Sequence, residues 1–182
     1  GYHIEYGYSC MGYEIAGAIG VKMAQPDREV VVSVGDGSYL MMNSEIASSI
    51  MLGLKLIIVV NDNRGFACIN RLQRATGGES FNNLLRDTWH DALPAIDFAA
   101  HARSLGAEAV KVKSIDELEA AFAKARQARI TQVIVIDTDP MVVTDAGGSW
   151  WDVAVPEVST REGVVAARAR YEQALGAQRV GD

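Results

Sequence analysis

The stretch from residue 30 to residue 64, VVVSVGDGSYLMMNSEIASSIMLGLKLIIVVNDNR, decides the fold of this chain. It contains an apolar strand that ends at Gly35-Asp36-Gly37-Ser38, a helix-like segment, and a second apolar strand that ends at Asn61-Asp62-Asn63. Both strands are short continuous apolar runs, as expected when helices cover both faces of a parallel sheet. In such sheets the carboxyl ends of the strands meet at the edge where ligands bind. The stretch therefore predicts a βαβ unit with a binding site at that edge.

The two strand ends together carry the groups that hold a diphosphate through a divalent cation. Gly35 and Gly37 let the backbone come close to phosphate oxygens, and the free amides of the following helix attract anions. Asp36 and, 27 residues later, Asn63 offer the hard oxygen ligands that Mg²⁺ prefers. GDG alone is more often an ordinary turn, and NDN alone can be an ordinary loop. The pair, at the spacing of one helix and one returning strand, favours a site.

This pair of motifs resembles the thiamine diphosphate (ThDP) motif of the decarboxylase and acetolactate-synthase superfamily, which begins with GDG and ends with NN. Asp62 stands where that motif has its first Asn. The resemblance implies a doubly wound, mostly parallel α/β domain that binds ThDP and Mg²⁺. It implies that the metal ligands are Asp36, Asn63 and the carbonyl of Gly65. The implied cofactor-binding residues at this edge are Gly35, Gly37, Ser38 and Asn63, of which Gly37 and Ser38 are assigned to the diphosphate.

A second stretch, SCMGYEIAGAIG at residues 9–20, resembles the N-terminal motif of the same superfamily. The resemblance implies that Met11 wedges beneath a bent cofactor. It also implies that the Ser9 carbonyl accepts a hydrogen bond from the aminopyrimidine. A plain core methionine is the alternative for Met11, because methionine fills irregular apolar gaps.

A narrower resemblance lies in HIEYGYSCMGYE at residues 3–14, GFACINRLQ at residues 65–73 and SWW at residues 149–151. These segments are similar to the hydrolases of inositol catabolism that open a cyclic 1,2-diketone to 5-deoxy-glucuronate. The implied reaction is ThDP-dependent cleavage of a carbon–carbon bond in a small-molecule substrate. Two alternatives stay open: an acetolactate-synthase-like lyase or carboligase that acts on 2-oxo acids, and a non-catalytic α/β module.

The resemblance also predicts which parts of such an enzyme lie elsewhere. We expect residues 1–182 to form one diphosphate-binding domain with a C-terminal extension from about residue 144, without the pyrimidine-binding and central domains. In this superfamily the glutamate that activates the cofactor lies on the pyrimidine-binding domain, so no catalytic residue is assigned here. The resemblance implies a homodimer or homotetramer, with the pyrimidine-binding domain of another subunit completing the site. The chain alone is expected to be inactive.

Composition narrows the class of protein. The formal net charge is −6 and the sequence pI is about 5.1, which argue against nucleic acid as a partner. An apolar fraction of 49% is enough for a sizeable core. No apolar run has the length expected of a membrane span. Two cysteines, Cys10 and Cys68, are too few for a disulfide framework and favour a reduced, cytoplasmic location.

The rest of the chain continues the alternation of strands and helices. Capping boxes are predicted at Ser114–Glu117 and Ser159–Glu162. The Gly- and Asn-rich segment 71–94 is expected to be a long loop, either an active-site cover or disordered. The predicted strands are 30–34, 55–60, 107–112 and 132–137, and the predicted helices are 13–22, 44–50, 95–105, 115–128 and one that ends near residue 175.

Overall fold

The computed structural model describes residues 1–4, 8, 10–142 and 153–178. These residues form two compact units. The first unit contains Gly1–Gly65 and Pro94–Asp139, and the second contains Phe66–Leu93 and Pro140–Asp182. The predictions for Ser9 and for the SWW segment concern residues outside the described part of the chain.

The elements occur in the following order along the chain. They are α1 (Tyr13–Ala24), β1 (Val31–Gly35), α2 (Asp36–Met41), α3 (Glu45–Met51), β2 (Ile57–Asp62), α4 (Ala67–Ala75), a 3-10 turn (Leu85–Asp87), α5 (Phe98–Ser104), β3 (Glu108–Val112), α6 (Ile115–Gln127), β4 (Gln132–Asp137) and α7 (Glu162–Ala177).

The four strands of the first unit form one parallel sheet in the order β1-β2-β4-β3. Strands β1 and β2 are neighbours in register, so that Gly35 lies beside Asn61. The segments that follow these two strands therefore start side by side at the same edge of the sheet. The α/β class and the parallel sheet predicted from the sequence are confirmed.

Side chains alternate between the two faces of the sheet because successive residues of a strand point in opposite directions. One face packs against a large cluster that includes helix residues Ile15, Tyr39, Ile46 and Phe98. The other face packs Ile57, Val112 and Ile134 against Ala125, with Leu118 and Phe122 at its border. Helices thus lie on both faces, as the doubly wound architecture requires. The strand residues of the first face are Val32, Val34, Ile58, Val60, Val133 and Val135.

Three local predictions need correction. The helical segment after β1 is two short helices, of which α2 begins at Asp36 itself. Segment 71–94 is not wholly a loop, because α4 extends to Ala75 and a 3-10 turn follows. The second capping box is wrong: α7 has Arg161 as its N-cap without a side-chain bond, and Ser159 Oγ accepts the Arg161 N–H instead. Serine readily forms such local turns in place of a cap.

The second unit contains α4, the 3-10 turn and α7. Its apolar cluster joins Val155 to Val164 and Ala167 on α7, with Tyr171 packed beside them. Arg168 donates to the Val155 carbonyl at 2.9 Å. Among the described residues, no helix has both the length and the apolar character needed to cross a membrane.

Candidate cofactor site

The side chain of Asp36 links the two motifs that the sequence predicted to act together. Asp36 begins α2 directly after β1, and only 3% of its surface is exposed. Its Oδ1 accepts the backbone N–H of Asn63 at 3.2 Å, and its Oδ2 accepts that of Gly65 at 2.7 Å. The carboxylate therefore joins the end of β1 to the loop after β2, at the edge where the two strands end side by side.

The side chain of Asn63 lies close to the first strand end. A Cβ atom built on Gly35 would be 3.9 Å from Asn63 Nδ2. The structure thus brings Asp36, Asn63, Gly65 and Gly35 together at one edge of the sheet. Gly37, also predicted for the site, is buried in the first turn of α2.

The electrostatics around Asp36 favour a cation. Burial raises the pKa of the Asp36 carboxyl above its ordinary value of 3.8. The amides of Gly65 and Asn63 lower that pKa, and the neighbouring Asp62 carboxylate raises it. Asp62 is itself buried and has Lys111 Nζ at 3.9 Å, although the same ammonium lies closer to Asp137, at 2.6 Å. A cation bound to Asp36 would offset the energetic cost of burying its charged carboxylate and the repulsion from the Asp62 carboxylate.

The donor atoms at this edge fit Mg²⁺. Each Asp36 oxygen accepts one amide and keeps a further lone pair, so the carboxylate can also bind a metal. A carboxylate, a side-chain amide and a nearby backbone carbonyl are hard oxygen donors, which suit Mg²⁺ better than soft metals. The residues present therefore fit a magnesium ion, which Asp36 and Asn63 would hold.

A second hydrogen-bonded group connects the N-terminal motif at residues 9–20 to the GDGS motif. Ser38, which is 8% exposed, donates its hydroxyl to the Glu14 carboxylate, with 2.8 Å to each oxygen. Ser38 Oγ also accepts the backbone N–H of Gly12 at 2.7 Å, and the same N–H lies 3.1 Å from Glu14 Oε2. The stretch that carries Met11 is thus bonded to the end of the GDGS motif.

Glu14 was not among the site residues predicted from the sequence. An acidic residue in the first turn of a helix is common for its favourable interaction with the helix dipole, so Glu14 carried no separate signal. Met11, by contrast, was predicted for the site, and it is 37% exposed. It therefore does not belong to the apolar core, which was the alternative interpretation.

Comparison with known proteins defines the class of protein that carries this site. Residues 1–137 match the family model described as "Thiamine pyrophosphate enzyme, C-terminal TPP binding domain", where thiamine pyrophosphate is another name for ThDP. The chain belongs to this family of C-terminal ThDP-binding domains.

Individual relatives are more specific. The chain is 45% identical over 180 residues to 3D-(3,5/4)-trihydroxycyclohexane-1,2-dione hydrolase of Geobacillus thermodenitrificans, covering 96% of this chain and 28% of the relative. It is 41% identical over 174 residues to the enzyme of the same name from Bacillus subtilis, covering 96% and 27%. The chain thus spans little more than a quarter of the length of these relatives.

A solved structure supports the fold. The ThDP-dependent 4-hydroxybenzoylformate decarboxylase of Rhodococcus jostii RHA1 superposes with a TM-score of 0.63 at 22% identity. The match covers 71% of this chain and 23% of that one. At this identity the likeness concerns the architecture of the sheet and helices.

Proposed function

We propose that this chain is the part of a ThDP-dependent hydrolase that holds the cofactor's diphosphate through Mg²⁺. The complete enzyme is proposed to open the ring of a trihydroxycyclohexane-1,2-dione to 5-deoxy-glucuronate in inositol catabolism. The observation that carries the cofactor proposal is the buried Asp36 carboxylate, hydrogen-bonded to the amides of Asn63 and Gly65. The 45% identity to a hydrolase of that name supports the substrate class.

The residues of this chain bind and orient the cofactor. Asp36, Asn63 and the carbonyl of Gly65 are the proposed magnesium ligands. Met11 is the proposed support beneath the cofactor and the Ser9 carbonyl the acceptor for its aminopyrimidine. When bound, ThDP supplies a nucleophilic carbon that makes cleavage of a carbon–carbon bond beside a carbonyl possible. The proposed contacts to the cofactor are Gly35, Gly37, Asn63 and the backbone of Ser38, with Gly37 and Ser38 at the diphosphate.

The proposal includes a partner. Because the chain spans about 28% of its relative, the pyrimidine-binding domain and the activating glutamate are proposed to come from the remainder of the enzyme, on another subunit of a homodimer or homotetramer. The proposed substrate is a small molecule, and the proposed location is the cytoplasm.

Calorimetry with ThDP and Mg²⁺ tests the cofactor proposal on the intact protein that carries this chain. We expect saturable binding by the wild type and a loss of at least about 100-fold in affinity for Asp36→Ala, because a charged ligand of both metal and loop is removed. The exposed Asp27 provides the matched control, and Asp27→Ala should bind as the wild type does. A wild-type protein that ignores ThDP in the presence of Mg²⁺ would refute the proposal and favour a non-catalytic module.

The substrate class requires a separate experiment. The ThDP-loaded intact protein should consume the cyclic dione and release one open-chain acid for each ring opened. Consumption of pyruvate without opening of the dione would instead assign the protein to the acetolactate-synthase-like enzymes. Neither result affects the calorimetric test of the cofactor.

A further inference from the structure

We infer that Glu14 is a positioning residue, which fixes the residue-11 loop (residues 10–12) against the phosphate turn (residues 35–38) by binding the Ser38 hydroxyl and the Gly12 amide together. The inference rests on the proposed function, since both segments are proposed to contact the same cofactor. Glu14 itself is not proposed to touch the cofactor or the substrate.

The hydrogen bonds of the Ser38 hydroxyl determine whether it can also donate to a cofactor. A serine hydroxyl has one proton, and Ser38 gives it to the Glu14 carboxylate at 2.8 Å. Its oxygen also accepts the Gly12 N–H at 2.7 Å. In this arrangement the Ser38 hydroxyl has no proton left to donate to a phosphate oxygen. Its effect on a bound cofactor therefore passes through Glu14 and Gly12, which modifies the direct contact predicted from the sequence.

The backbone conformation of Gly12 allows the residue-11 loop to lie close to α2. Gly12 has φ +94°, a left-handed conformation that glycine adopts at little cost. A Cβ atom there would lie 3.1 Å from Met42 Cβ and 3.3 Å from Met41 Cβ. The residue-11 loop therefore lies directly against the C-terminal end of α2. The Gly12 amide contacts Glu14 and also Ser38, which lies one turn earlier in α2.

The bonding of Glu14 distinguishes it from an ordinary acidic residue of a first helical turn. Such a residue favours its own helix through the dipole and needs no partner elsewhere. Glu14 is on α1, yet both its oxygens contact a hydroxyl on α2, which is 24 residues away in sequence. Hydrogen bonds to a charged acceptor are stronger than those between neutral groups. The carboxylate thus connects the starts of the two helices that carry the two cofactor motifs.

A double-mutant cycle on ThDP binding tests the inference in the intact protein. We expect Glu14→Ala and Ser38→Ala each to weaken ThDP affinity about tenfold, the size of effect usual for one lost hydrogen bond to a charged group. The double variant should be no weaker than either single variant, because both changes remove the same connection. Glu14→Gln keeps an acceptor oxygen and should stay within about threefold of the wild type. The exposed Glu119, on α6, is the matched control, and Glu119→Ala should bind normally.

Two binding results would overturn the inference. Unchanged ThDP affinity in Glu14→Ala would show that the connection does not position the cofactor site. A loss of about 100-fold in the double variant would show two independent contributions, as expected if the Ser38 hydroxyl contacts the diphosphate directly. A wild-type protein without ThDP binding would overturn the proposed function and this inference with it. Wild-type binding with unaffected variants would overturn this inference alone.

Hydrogen exchange provides a readout that does not depend on the cofactor. In the cofactor-free protein, the peptide that contains residues 10–15 should exchange faster in Glu14→Ala and in Ser38→Ala. Peptides from α6 should be unchanged, because the effect is local. If Glu14→Ala fails to fold, Ser38→Ala decides the question. Unchanged exchange in the folded variants would refute the connection itself.

Discussion

Tyr39 illustrates at the scale of one residue how the phosphate turn is held to the core. It follows Ser38 on α2, is fully buried, and packs its ring edge-on against Phe98 with ring centroids 5.3 Å apart. Its hydroxyl is hydrogen-bonded to His101 Nδ1 at 2.9 Å. One aromatic side chain therefore links α2 to α5 through an apolar contact and a polar one.

The burial of Tyr39 predicts a dependence of stability on alkaline pH. Burial raises the pKa of Tyr39 from 10.0 to about 12, so the folded state holds the phenol proton more tightly than the unfolded state. The resulting stabilisation is complete below pH 10 and is lost as the pH rises towards 12, by up to about 3 kcal/mol. Denaturant titrations at several pH values should show this loss in the wild type and not in Tyr39→Phe.

The control for that prediction is the exposed Tyr2. Its exposure of 89% means that Tyr2→Phe should follow the wild-type pH dependence. Parallel pH profiles for the wild type and Tyr39→Phe would contradict the prediction.

Replacement of Asn70, on α4, by an apolar residue is expected to increase the stability of the protein. Its carboxamide is fully buried, and within the described part of the chain neither its oxygen nor its nitrogen has a hydrogen-bond partner. A buried polar group without a partner costs about 1–3 kcal/mol. Leucine has a similar shape without that cost, so Asn70→Leu should raise the free energy of unfolding by about 1–3 kcal/mol in denaturant titrations.

Asn83 offers the matched comparison for Asn70. Its Nδ2 donates to Gln73 Oε1 at 2.7 Å, so Asn83→Leu should lower the free energy of unfolding. Destabilisation by Asn70→Leu would contradict the prediction and show that its amide has a partner.

At the scale of elements, the two predicted capping boxes have opposite outcomes. At the start of α6, Ser114 Oγ accepts the Glu117 N–H at 3.2 Å, and Glu117 Oε2 accepts the Lys113 N–H at 2.8 Å. At the start of α7 the helix begins after Arg161, and Ser159 is left outside it. Sequences of the same pattern therefore have different roles.

This contrast predicts unequal effects of two equivalent substitutions. Ser114→Ala should lower the free energy of unfolding by about 1 kcal/mol, because it removes a helix cap. Ser159→Ala should change it by no more than about 0.5 kcal/mol, since that hydroxyl bonds only a local turn. Chemical denaturation of both variants measures the difference. Equal effects would mean that the cap at α6 does not contribute.

At the scale of the whole molecule, the proposed function predicts that this chain alone does not catalyse the reaction. Its relatives are more than three times as long, and the activating glutamate is expected outside these residues. The purified chain should leave the cyclic dione unchanged. Addition of the proposed pyrimidine-binding domain should restore ring opening to the wild-type chain and not to a chain with Asp36→Ala. Full activity from the isolated chain would disprove this division of roles.

The order of the strands and the contacts between distant residues could not be predicted from the sequence. Local patterns placed the strands within about two residues, because short apolar runs with turn residues at their ends have few other structures available. They did not predict that β4 lies between β2 and β3, or that Glu14 meets Ser38. Both depend on long-range packing, which sequence spacing does not reveal.

The sequence by itself determined the βαβ unit, the parallel sheet and the two motifs with their acidic and amide side chains, because turn chemistry and strand patterning act over a few residues. Only the tertiary structure decided which groups meet. In it, Asp36 accepts hydrogen bonds from the amides of Asn63 and Gly65, and the Ser38 hydroxyl donates to Glu14. The reason is physical: most buried polar groups have a hydrogen-bond partner, and the partner available depends on where folding places the group. Those partners are set by the packing of whole helices on the sheet.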